Sequence, residues 1–363
     1  MVGGAVRDML AGREVADVDF AVPLPPAVVM ERARAAGLKA VPTGLAHGTV
    51  TLVAAGRGFE VTSLRRDVET DGRHARVAFI DDWREDAARR DFTINAMSRD
   101  RAGEIYDYFT GREDLRAGIV RFVGRAEQRI AEDHLRILRF FRFFARYAKA
   151  APDAEAVAAI QAGREGLRAL SAERVWAEVK RILAAPDPLL AVELMRDTGV
   201  LAVALPGAEV AGLAALLARG APTDDPLLRL AALTAEPGLA ARLRLSGTEA
   251  ERLAALRRPF GLRPSDDDAA LRRALAEEEA AVLIGRSWLH EEGLGPEWDA
   301  LRARLGAVAR PVFPLRGRDL AGLGVPPGPA LGALLAELRR WWLMGGCLAG
   351  REVCLAEARR RLA

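Results

Sequence analysis

The chain has 363 residues, which is more than one ordinary hydrophobic core holds and predicts two to four domains. Half of the residues are hydrophobic but only 6% are aromatic, which is typical of a mostly helical protein, and the formal charge of +3 favours no class of partner. The two cysteines, Cys347 and Cys354, have no metal-ligand spacing, which excludes a structural zinc and predicts free thiols. No apolar run reaches 18 residues and no signal-peptide pattern occurs, so we expect a cytoplasmic protein without membrane contact.

A glycine pair, Gly3 and Gly4, precedes Arg7 at the start of a predicted helix over 7–12. Such glycines let backbone N–H groups approach a phosphate, and the helix N-terminus and an arginine add positive potential there. An ordinary glycine turn is the alternative interpretation, because so short a motif is weak alone.

Two carboxylates, Asp17 and Asp19, follow at i and i+2 of a predicted strand over 16–22. This spacing points both side chains to one face, where they can hold metal ions over one reaction centre. A solvated Asp-x-Asp loop is the alternative. Glu60, on a predicted strand over 58–64, is equally compatible with a third metal-site carboxylate and with a solvated strand residue.

Strands and helices alternate in the first 123 residues, which predicts a small α/β sheet. The charged, turn-rich segment 65–87 is predicted to be a mobile loop. The other predicted elements are a helix over 27–36, a strand over 48–54, and strands over 105–109 and 119–123 on either side of a short helix.

Residues 89–97 place Arg90 and Asn95 around a buried Phe92–Ile94 pair. A helix start of this composition can hold a sugar and a phosphate on its polar side. A capped helix with its arginines in solvent is an equally good interpretation.

Residues 126–149 are predicted to form one helix. At 3.6 residues per turn, Asp133, Arg136 and Arg139 share a stripe that Arg142 continues. Charge of this kind usually marks a solvated helix face. An aspartate and an arginine three residues apart can instead present an acceptor and a forked donor to the edge of a base, leaving the other arginines for phosphates.

The remainder of the chain is predicted to be a helical array without a repeat period. Ser171, followed by Glu173, predicts a capped helix start. The further predicted helices cover 189–195, 213–217, 227–233, 247–257, 267–284 and 330–343.

Taken together, these motifs resemble the class II tRNA nucleotidyltransferases, which are the bacterial CCA-adding enzymes, and their relatives the bacterial poly(A) polymerases. The matching strings occur in the order of that family. They are the Gly3–Asp8 segment with Asp17–Asp19, then 89–97, 107–115, 132–143 and 170–174.

The resemblance implies an α+β fold with a polymerase-β-like nucleotidyltransferase head, a small mixed sheet with helices, followed by an all-α neck, body and tail. The implied boundaries are 1–123 for the catalytic head, 124–185 for the nucleotide-selecting neck, 186–260 for the body and 261–363 for the tail.

The implied reaction is the template-independent addition of CCA to tRNA 3′ ends from CTP and ATP with release of pyrophosphate. The resemblance implies two Mg²⁺ ions, one that lowers the pKa of the attacking 3′-hydroxyl and one that steadies pyrophosphate. The implied partner is tRNA, through its 3′ end and acceptor region, and not DNA.

The resemblance also assigns roles to single residues. Asp17 and Asp19 would be the catalytic metal ligands, and the segment 65–87 would help the switch from C to A addition. The implied nucleotide-binding residues are Gly4 and Arg7 for the triphosphate, Arg90 and Asn95 for sugar and phosphate, Asp133 and Arg136 for the base edge, and Arg139 and Arg142 for assisting contacts.

Three other functions stay open at this point. A poly(A) polymerase uses the same motifs for repeated AMP addition, and an enzyme restricted to CC or to A addition is a second possibility. A non-catalytic RNA-binding module is a remote third, because the carboxylates of the metal site and the Asp133–Arg136 pair are intact. The family's chains normally begin with a segment ahead of the glycine pair, which this sequence lacks. We therefore expect either that the start has been set too late or that the domain lacks its first strand and helix.

Overall fold

In a computed structural model of the chain, strands β3 (Thr49–Ala54) and β4 (Arg57–Ser63) form an antiparallel hairpin at the centre of the first sheet. Ala55 and Gly56 connect the two strands with φ angles of 49° and 76°. Two successive positive φ angles give the tight turn whose twist matches that of the flanking strands. Both strands confirm the sequence prediction.

Two further strands extend this sheet in the order β1-β4-β3-β2, with β1 (Phe20–Val22) parallel to β4 and β2 (Lys39–Gly44) antiparallel to β3. Strand β2 was not predicted, because Pro42 interrupts its alternation and proline weakens a strand pattern. Helices α1 (Gly4–Leu10) and α2 (Pro26–Ala35) lie in the same region. The core under the sheet is formed by Val29, Val50 and Val61.

The segment 65–87 was predicted as a mobile loop; residues 72–73 lie outside the described residues, and in the described remainder the prediction of a loop is wrong. Strands β5 (Arg65–Asp71) and β6 (His74–Phe79) pair antiparallel, and helix α3 (Trp83–Ala88) follows. The Asp82 carboxylate caps this helix by accepting hydrogen bonds from the backbone N–H groups of Arg84 and Glu85 at 2.7 and 3.2 Å. Val68 is the only apolar residue of β5, so the hydrophobic period that identifies a strand is missing there, although Ala75, Val77 and Phe79 alternate in β6.

The segment 89–123 contains less regular structure than predicted. Its second predicted strand, 119–123, is wrong, since Phe122 forms only an isolated bridge with Phe92. The predicted helix start is a single 3₁₀ turn. The observed elements are that turn at Thr93–Asn95, strands β7 (Met97–Arg99) and β8 (Ile105–Asp107), and helix α4 (Gly111–Ala117).

The predicted continuous helix over 126–149 is also wrong. Helix α5 (Ala126–Glu132) ends at Asp133, which has φ −157° and ψ 106°, and helix α6 (Leu135–Tyr147) begins after it. The Asp133 carboxylate accepts a hydrogen bond from the N–H of Leu135 at 3.0 Å, an aspartate-turn contact that competes with helix continuation.

The remaining secondary-structure elements of the described chain are all helices joined by loops. Ser171 sits at the N-cap of α8 without a side-chain capping bond, and the predicted helix over 267–284 is two helices. The helices are α7 (Ala154–Gly163), α8 (Ala172–Leu183), α9 (Leu189–Asp197), α10 (Val200–Ala204), α11 (Val210–Ala218), α12 (Pro226–Leu233), α13 (Leu239–Arg242), α14 (Gly247–Leu256), α15 (Asp268–Glu277), α16 (Ala280–Leu289), α17 (Pro296–Ala307), α18 (Gly317–Ala321), α19 (Pro329–Met344) and α20 (Arg351–Leu362), with a 3₁₀ turn at Arg164–Ala169.

Four phenylalanines join helix α6 to the sheet region. The Phe92 ring centroid lies 4.8 Å from that of Phe122 and 5.2 Å from that of Phe143, and Phe122 stacks on Phe140 at 6.1 Å. All four side chains are buried. Aromatic burial of this size fixes helix α6, which carries the predicted base-selecting arginines, against the segment that carries Arg90 and Asn95.

The structure describes residues 1–15, 17–71, 74–222 and 224–363, and these form two compact units. The first comprises Met1–Val210 with Glu236–Arg244, and the second comprises Ala211–Ala235 with Leu245–Ala363. The described strands all belong to the first unit, and the second is helical, so the predicted α+β class is confirmed. In the described ranges no helix is long and apolar enough to cross a membrane.

Candidate active site

Gly3 forms the turn that leads into helix α1. Its φ of 65° lies in the left-handed region that favours glycine, and its N–H donates to the Met97 carbonyl at 3.0 Å. A Cβ atom on Gly3 would lie only 2.6 Å from Nη1 of Arg90. The turn is therefore packed directly against one of the predicted nucleotide-binding arginines, and no side chain fits between them.

We expect Gly3→Ala to lower the free energy of unfolding by about 1–3 kcal/mol through backbone strain alone, and further through displacement of Arg90. Gly12→Ala is the matched control, because Gly12 has a φ of 66° but no atom within 4 Å of an added Cβ. Urea unfolding of both variants measures the difference. Equal losses would contradict the proposed contact between Gly3 and Arg90.

Arg7 of helix α1 is buried and held by polar groups on several sides. Its Nε and Nη2 donate to the two carboxylate oxygens of Asp8 at 3.0 and 2.8 Å, and Nη1 donates to Oδ1 of Asn95 at 2.5 Å. Its guanidinium carbon also lies 4.9 Å from the ring centroid of Phe143 and 4.7 Å from that of Tyr147. These contacts fix the direction of the Arg7 guanidinium, which belongs to the last turn of helix α1.

Tyr147, at the end of helix α6, completes the support of Arg7. Its hydroxyl donates to the Asp8 carboxylate across 139 positions of sequence. Burial opposes the charge of Asp8, but the hydrogen bonds from Arg7 and Tyr147 outweigh it, and the pKa of Asp8 is lowered. Burial and the bond to Asp8 raise the pKa of Tyr147, so its hydroxyl keeps its proton and acts as a donor.

Asp17 and Asp19 lie ahead of strand β1 and not within it, so the predicted strand placement is wrong. The Asp19 carbonyl accepts a hydrogen bond from Val2 N at 2.9 Å, which ties this segment to the glycine turn. No group in the described part of the chain forms an ion pair with either carboxylate. Partial burial raises the pKa of Asp19, and the charge of Asp17 raises it further against the opposing effect of Arg90. Two adjacent carboxylates without an ion-pair partner are a donor set that fits a divalent cation.

Glu60 occupies an exposed position on strand β4. Among the residues that the structure describes, no group of three or more His, Cys, Asp or Glu side chains is placed to hold a metal. In this structure Glu60 therefore does not complete a three-carboxylate group with Asp17 and Asp19.

Asp91 is a buried carboxylate at the centre of a hydrogen-bond network. One of its oxygens accepts from the Phe92 N–H at 2.9 Å and from Nδ2 of Asn95 at 3.0 Å, and the other accepts from Nε of Arg139 at 2.7 Å. Burial opposes its charge, but Arg139 and these hydrogen bonds lower its pKa below the usual range. Asp91 thus fixes Asn95 and Arg139 relative to each other.

Asp133 and Arg136 are both held by protein groups in this structure. Asp133 Oδ2 accepts from Arg174 at 2.8 Å. Nη1 of Arg136 donates to the Glu132 carboxylate at 2.5 Å and to the Arg129 carbonyl at 2.9 Å. The break at Asp133 brings the aspartate next to the first turn of helix α6.

Two more predicted arginines are each anchored by one carboxylate. Nη2 of Arg90 donates to Asp86 at 3.2 Å, and Nε of Arg142 lies 2.7 Å from a carboxylate oxygen of Glu178. Burial lowers the pKa of Arg142 to about 10, which still leaves it cationic at neutral pH.

A cleft of about 530 Å³ brings most of the predicted residues together. Asp17 and Asp19 are not among its lining residues. The predicted residues that line it are Gly4, Arg7, Arg90, Asn95, Asp133, Arg136, Arg139 and Arg142, together with Gly3, Arg89, Asp91, Leu135, Phe143 and Arg174. A strongly basic cleft of this size suits a nucleoside triphosphate.

Comparison with known proteins finds matches for two segments of the chain. Residues 1–121 match the family model "Poly A polymerase head domain", and residues 151–211 match "Probable RNA and SrmB- binding site of polymerase A". The chain is 36% identical to CCA tRNA nucleotidyltransferase 1, mitochondrial, of Mus musculus, over 95% of this chain and 83% of that protein. The chain belongs to the CCA tRNA nucleotidyltransferase family.

A bacterial sequence and a bacterial crystal structure extend this result. The CCA-adding enzyme of Geobacillus stearothermophilus is 37% identical over 66% of this chain and 55% of its own length. The crystal structure of the Bacillus stearothermophilus CCA-adding enzyme in complex with CTP superposes with a TM-score of 0.77 at 27% identity, covering 99% of this chain and 92% of that one. The predicted family and fold are both confirmed.

Sequence reasoning missed three residues that organise this nucleotidyltransferase cleft. They are Asp8, Asp91 and Tyr147, which hold the predicted residues in place through long-range contacts. Asp8 and Asp91 each follow an arginine within a recognised motif, and that adjacency was the available signal. Tyr147 offered no signal, because its partner is far away in sequence.

A larger hollow of about 890 Å³ lies in the second unit. Its Arg219 is committed to the backbone, since Nη1 donates to the carbonyls of Trp288 and His290 at 3.0 and 2.9 Å. We assign no nucleotidyltransferase chemistry to this hollow.

Proposed function

We propose that this chain adds CCA to the 3′ ends of tRNA from CTP and ATP with release of pyrophosphate. The observation that carries the proposal is the basic cleft, where the supported Arg7 lies beside the Asp133–Arg136 pair. The names of the relatives and the CTP complex of the Bacillus stearothermophilus enzyme support the same reaction.

Arg7 and the backbone at Gly4 bind the triphosphate in this proposal. Arg7 is suited to this role because its guanidinium is already oriented by Asp8 and two aromatic rings. Arg90 and Asn95 contact the sugar and phosphate.

Base selection belongs to Asp133 and Arg136, with Arg139 and Arg142 assisting. Arg136 Nη1 is engaged by Glu132 and the Arg129 carbonyl, and Nη2 reaches the Arg89 carbonyl at 3.4 Å. This last bond is long, so Nη2 is the donor that an incoming base recruits at small cost.

Asp17 and Asp19 would hold Mg²⁺. When bound, Mg²⁺ acts as a Lewis acid that stabilises negative charge on the reacting phosphate and the 3′-oxygen. Burial raises the pKa of Asp19 most, and the charge of Asp17 raises it further; a bound cation would relieve the repulsion between the two carboxylates.

The division into a head over 1–123, a neck over 124–185, a body over 186–260 and a tail over 261–363 is part of the proposal. A cytoplasmic location is proposed as well, although three relatives are named as mitochondrial.

One incorporation assay tests the function. The purified chain is given a tRNA transcript that ends before CCA, together with Mg²⁺ and CTP or ATP singly and in combination. We expect growth by three nucleotides that then stops. No incorporation would favour a non-catalytic RNA-binding module, and growth limited to CC or to A would show a specialised enzyme.

A poly(A) polymerase is the second candidate, because the family model matched by residues 1–121 is described as a poly(A) polymerase head. The same assay separates the two reactions. Long A tails made from ATP alone would replace the leading proposal by this one.

Tyr147→Phe tests whether Asp8 and Tyr147 position Arg7. Removing a hydrogen bond to a charged group costs about 1.5–3 kcal/mol, so we expect KM for CTP to rise about tenfold or more with kcat nearly unchanged. The matched control is Tyr106→Phe, which removes a hydroxyl that donates to Asp100 at 3.2 Å on the exposed surface. A lower melting temperature without a change in KM would show a purely structural role.

A further inference from the structure

A second basic site lies in the first unit, in a hollow of about 410 Å³ where the end of helix α1 meets helix α4 and the end of helix α6. Its walls carry five cationic side chains and one aromatic ring. These are Arg13, Arg112, Arg116, Arg146 and Lys149, with Tyr147. The hollow is therefore distinct from the nucleotide cleft, whose lining it does not share.

The cations of this hollow differ from those of the nucleotide cleft in their partners. Cleft arginines are each neutralised by a carboxylate, as Arg7 is by Asp8 and Arg139 by Asp91. Across the described ranges of the chain, none of the five cations of the hollow forms an ion pair with an aspartate or glutamate. Five like charges around one small space create a positive potential that attracts anions.

Helix stabilisation accounts for only part of this cluster. Arg116 and Arg146 lie in the last turns of helices α4 and α6, where a cation is favourable. Arg112 lies in the first turn of α4, where a cation is unfavourable, and Arg13 lies outside any helix. Helix stabilisation therefore does not account for these two arginines.

The hollow is also preformed. Lys149 N donates to the Gly118 carbonyl at 3.0 Å, and a Cβ on Gly118 would lie 2.4 Å from Lys149 Cβ, so the ends of helices α4 and α6 are in close contact. Arg13 donates to the Arg146 carbonyl at 2.5 Å and lies 4.5 Å from the centroid of the Tyr147 ring. The guanidinium carbon of Arg7 lies 4.7 Å from the centroid of the same ring. Tyr147 therefore contacts both the hollow and the arginine proposed to bind the nucleotide.

We propose that this hollow is a phosphate-binding site separate from the nucleotide cleft. Four of its five cations are arginines, whose forked donors match phosphate oxygens, and their number suits a ligand with more than one phosphate. Two sources have this chemistry, the backbone of the bound RNA and a free polyphosphate. The RNA source rests on the proposed function, whereas the free polyphosphate does not.

The test uses the double variant Arg112→Gln/Arg116→Gln in the full chain. Both side chains are exposed, so folding should be retained. The control is Arg32→Gln/Arg34→Gln, which removes the same charge from two exposed arginines of helix α2. Binding of a tRNA transcript that ends before CCA is measured over a range of salt concentrations without nucleotides, and binding of inorganic tripolyphosphate is measured by calorimetry.

For the RNA source, we expect the double variant to bind tRNA on the order of tenfold more weakly and to reduce the slope of log affinity against log salt by about 1–2. For the free source, the double variant loses one tripolyphosphate site and keeps the one in the nucleotide cleft, while tRNA binding is unchanged. If both ligands bind the double variant and the control equally well, the proposal is overturned. If the double variant has a lower melting temperature than the wild type, the same two binding measurements are made on Lys149→Gln instead.

The outcome is independent of catalysis, because binding is measured without CTP or ATP. Wild-type chain that binds phosphate here but incorporates no nucleotide would overturn the proposed function and leave the site intact. If the wild type incorporates CCA but the double variant and the control bind both ligands equally well, the proposed function stands and the phosphate site is overturned.

Discussion

Asp17→Ala is expected to reduce CCA incorporation by about a thousandfold or more, because Lewis-acid stabilisation of the transition state is worth several kcal/mol and each 1.4 kcal/mol is a factor of ten. Affinity for tRNA should change by less than about twofold, since one exposed carboxylate contributes nothing to phosphate binding. Single-turnover incorporation and filter binding measure the two quantities.

The control for this variant is Asp81→Ala, which removes an equally exposed carboxylate ahead of helix α3. A second measurement does not depend on turnover. Mg²⁺ should raise the melting temperature of the wild type and of the control, and should raise that of Asp17→Ala much less. Normal incorporation by Asp17→Ala would remove the assignment of the two carboxylates as metal ligands.

Arg136→Ala is expected to blur the choice among CTP, ATP and UTP. A bidentate contact with a base edge discriminates by about 1–3 kcal/mol, so the ratios of kcat/KM should fall by roughly fivefold to a hundredfold. The fold should tolerate the change, because the nearby carboxylates stay paired without Arg136. Glu132 still forms an ion pair with Arg129, and Asp133 still forms one with Arg174.

Arg136→Lys separates charge from geometry in this prediction. Lysine keeps the positive charge but lacks the fork, so selectivity should fall as it does in the alanine variant. Arg125→Ala, at an exposed position before helix α5, is the control and should leave the ratios unchanged. Unchanged selectivity in Arg136→Ala would place base choice at other residues.

Sequence-based prediction was most accurate where neighbouring residues alone determine the structure. A helix follows the glycine turn as predicted, although it covers Gly4–Leu10 and not 7–12. Helix α2 and strands β3 and β4 lie within one residue of their predicted ends. In these segments neighbouring residues carry the signal themselves, through turn-forming glycines and regular apolar spacing.

Sequence-based prediction failed where a contact between residues distant in sequence determines the structure, or where a strand consists mostly of charged residues. The 65–87 segment contains a pair of antiparallel strands, of which β5 has no apolar period. Asp133 interrupts a helix that the periodic pattern extends across it. In both cases backbone pairing or a local side-chain bond outweighs the pattern.

By itself, the sequence predicted which residues this nucleotidyltransferase offers to phosphate, metal and base, because the motifs that resemble the family are local strings of residues. Only the tertiary structure decided how they are held. The contacts of Tyr147 with Asp8 and of Arg139 with Asp91 span 139 and 48 positions. Such pairs leave no periodic trace in a single chain, since their proximity arises from packing of the phenylalanine core and not from any local preference.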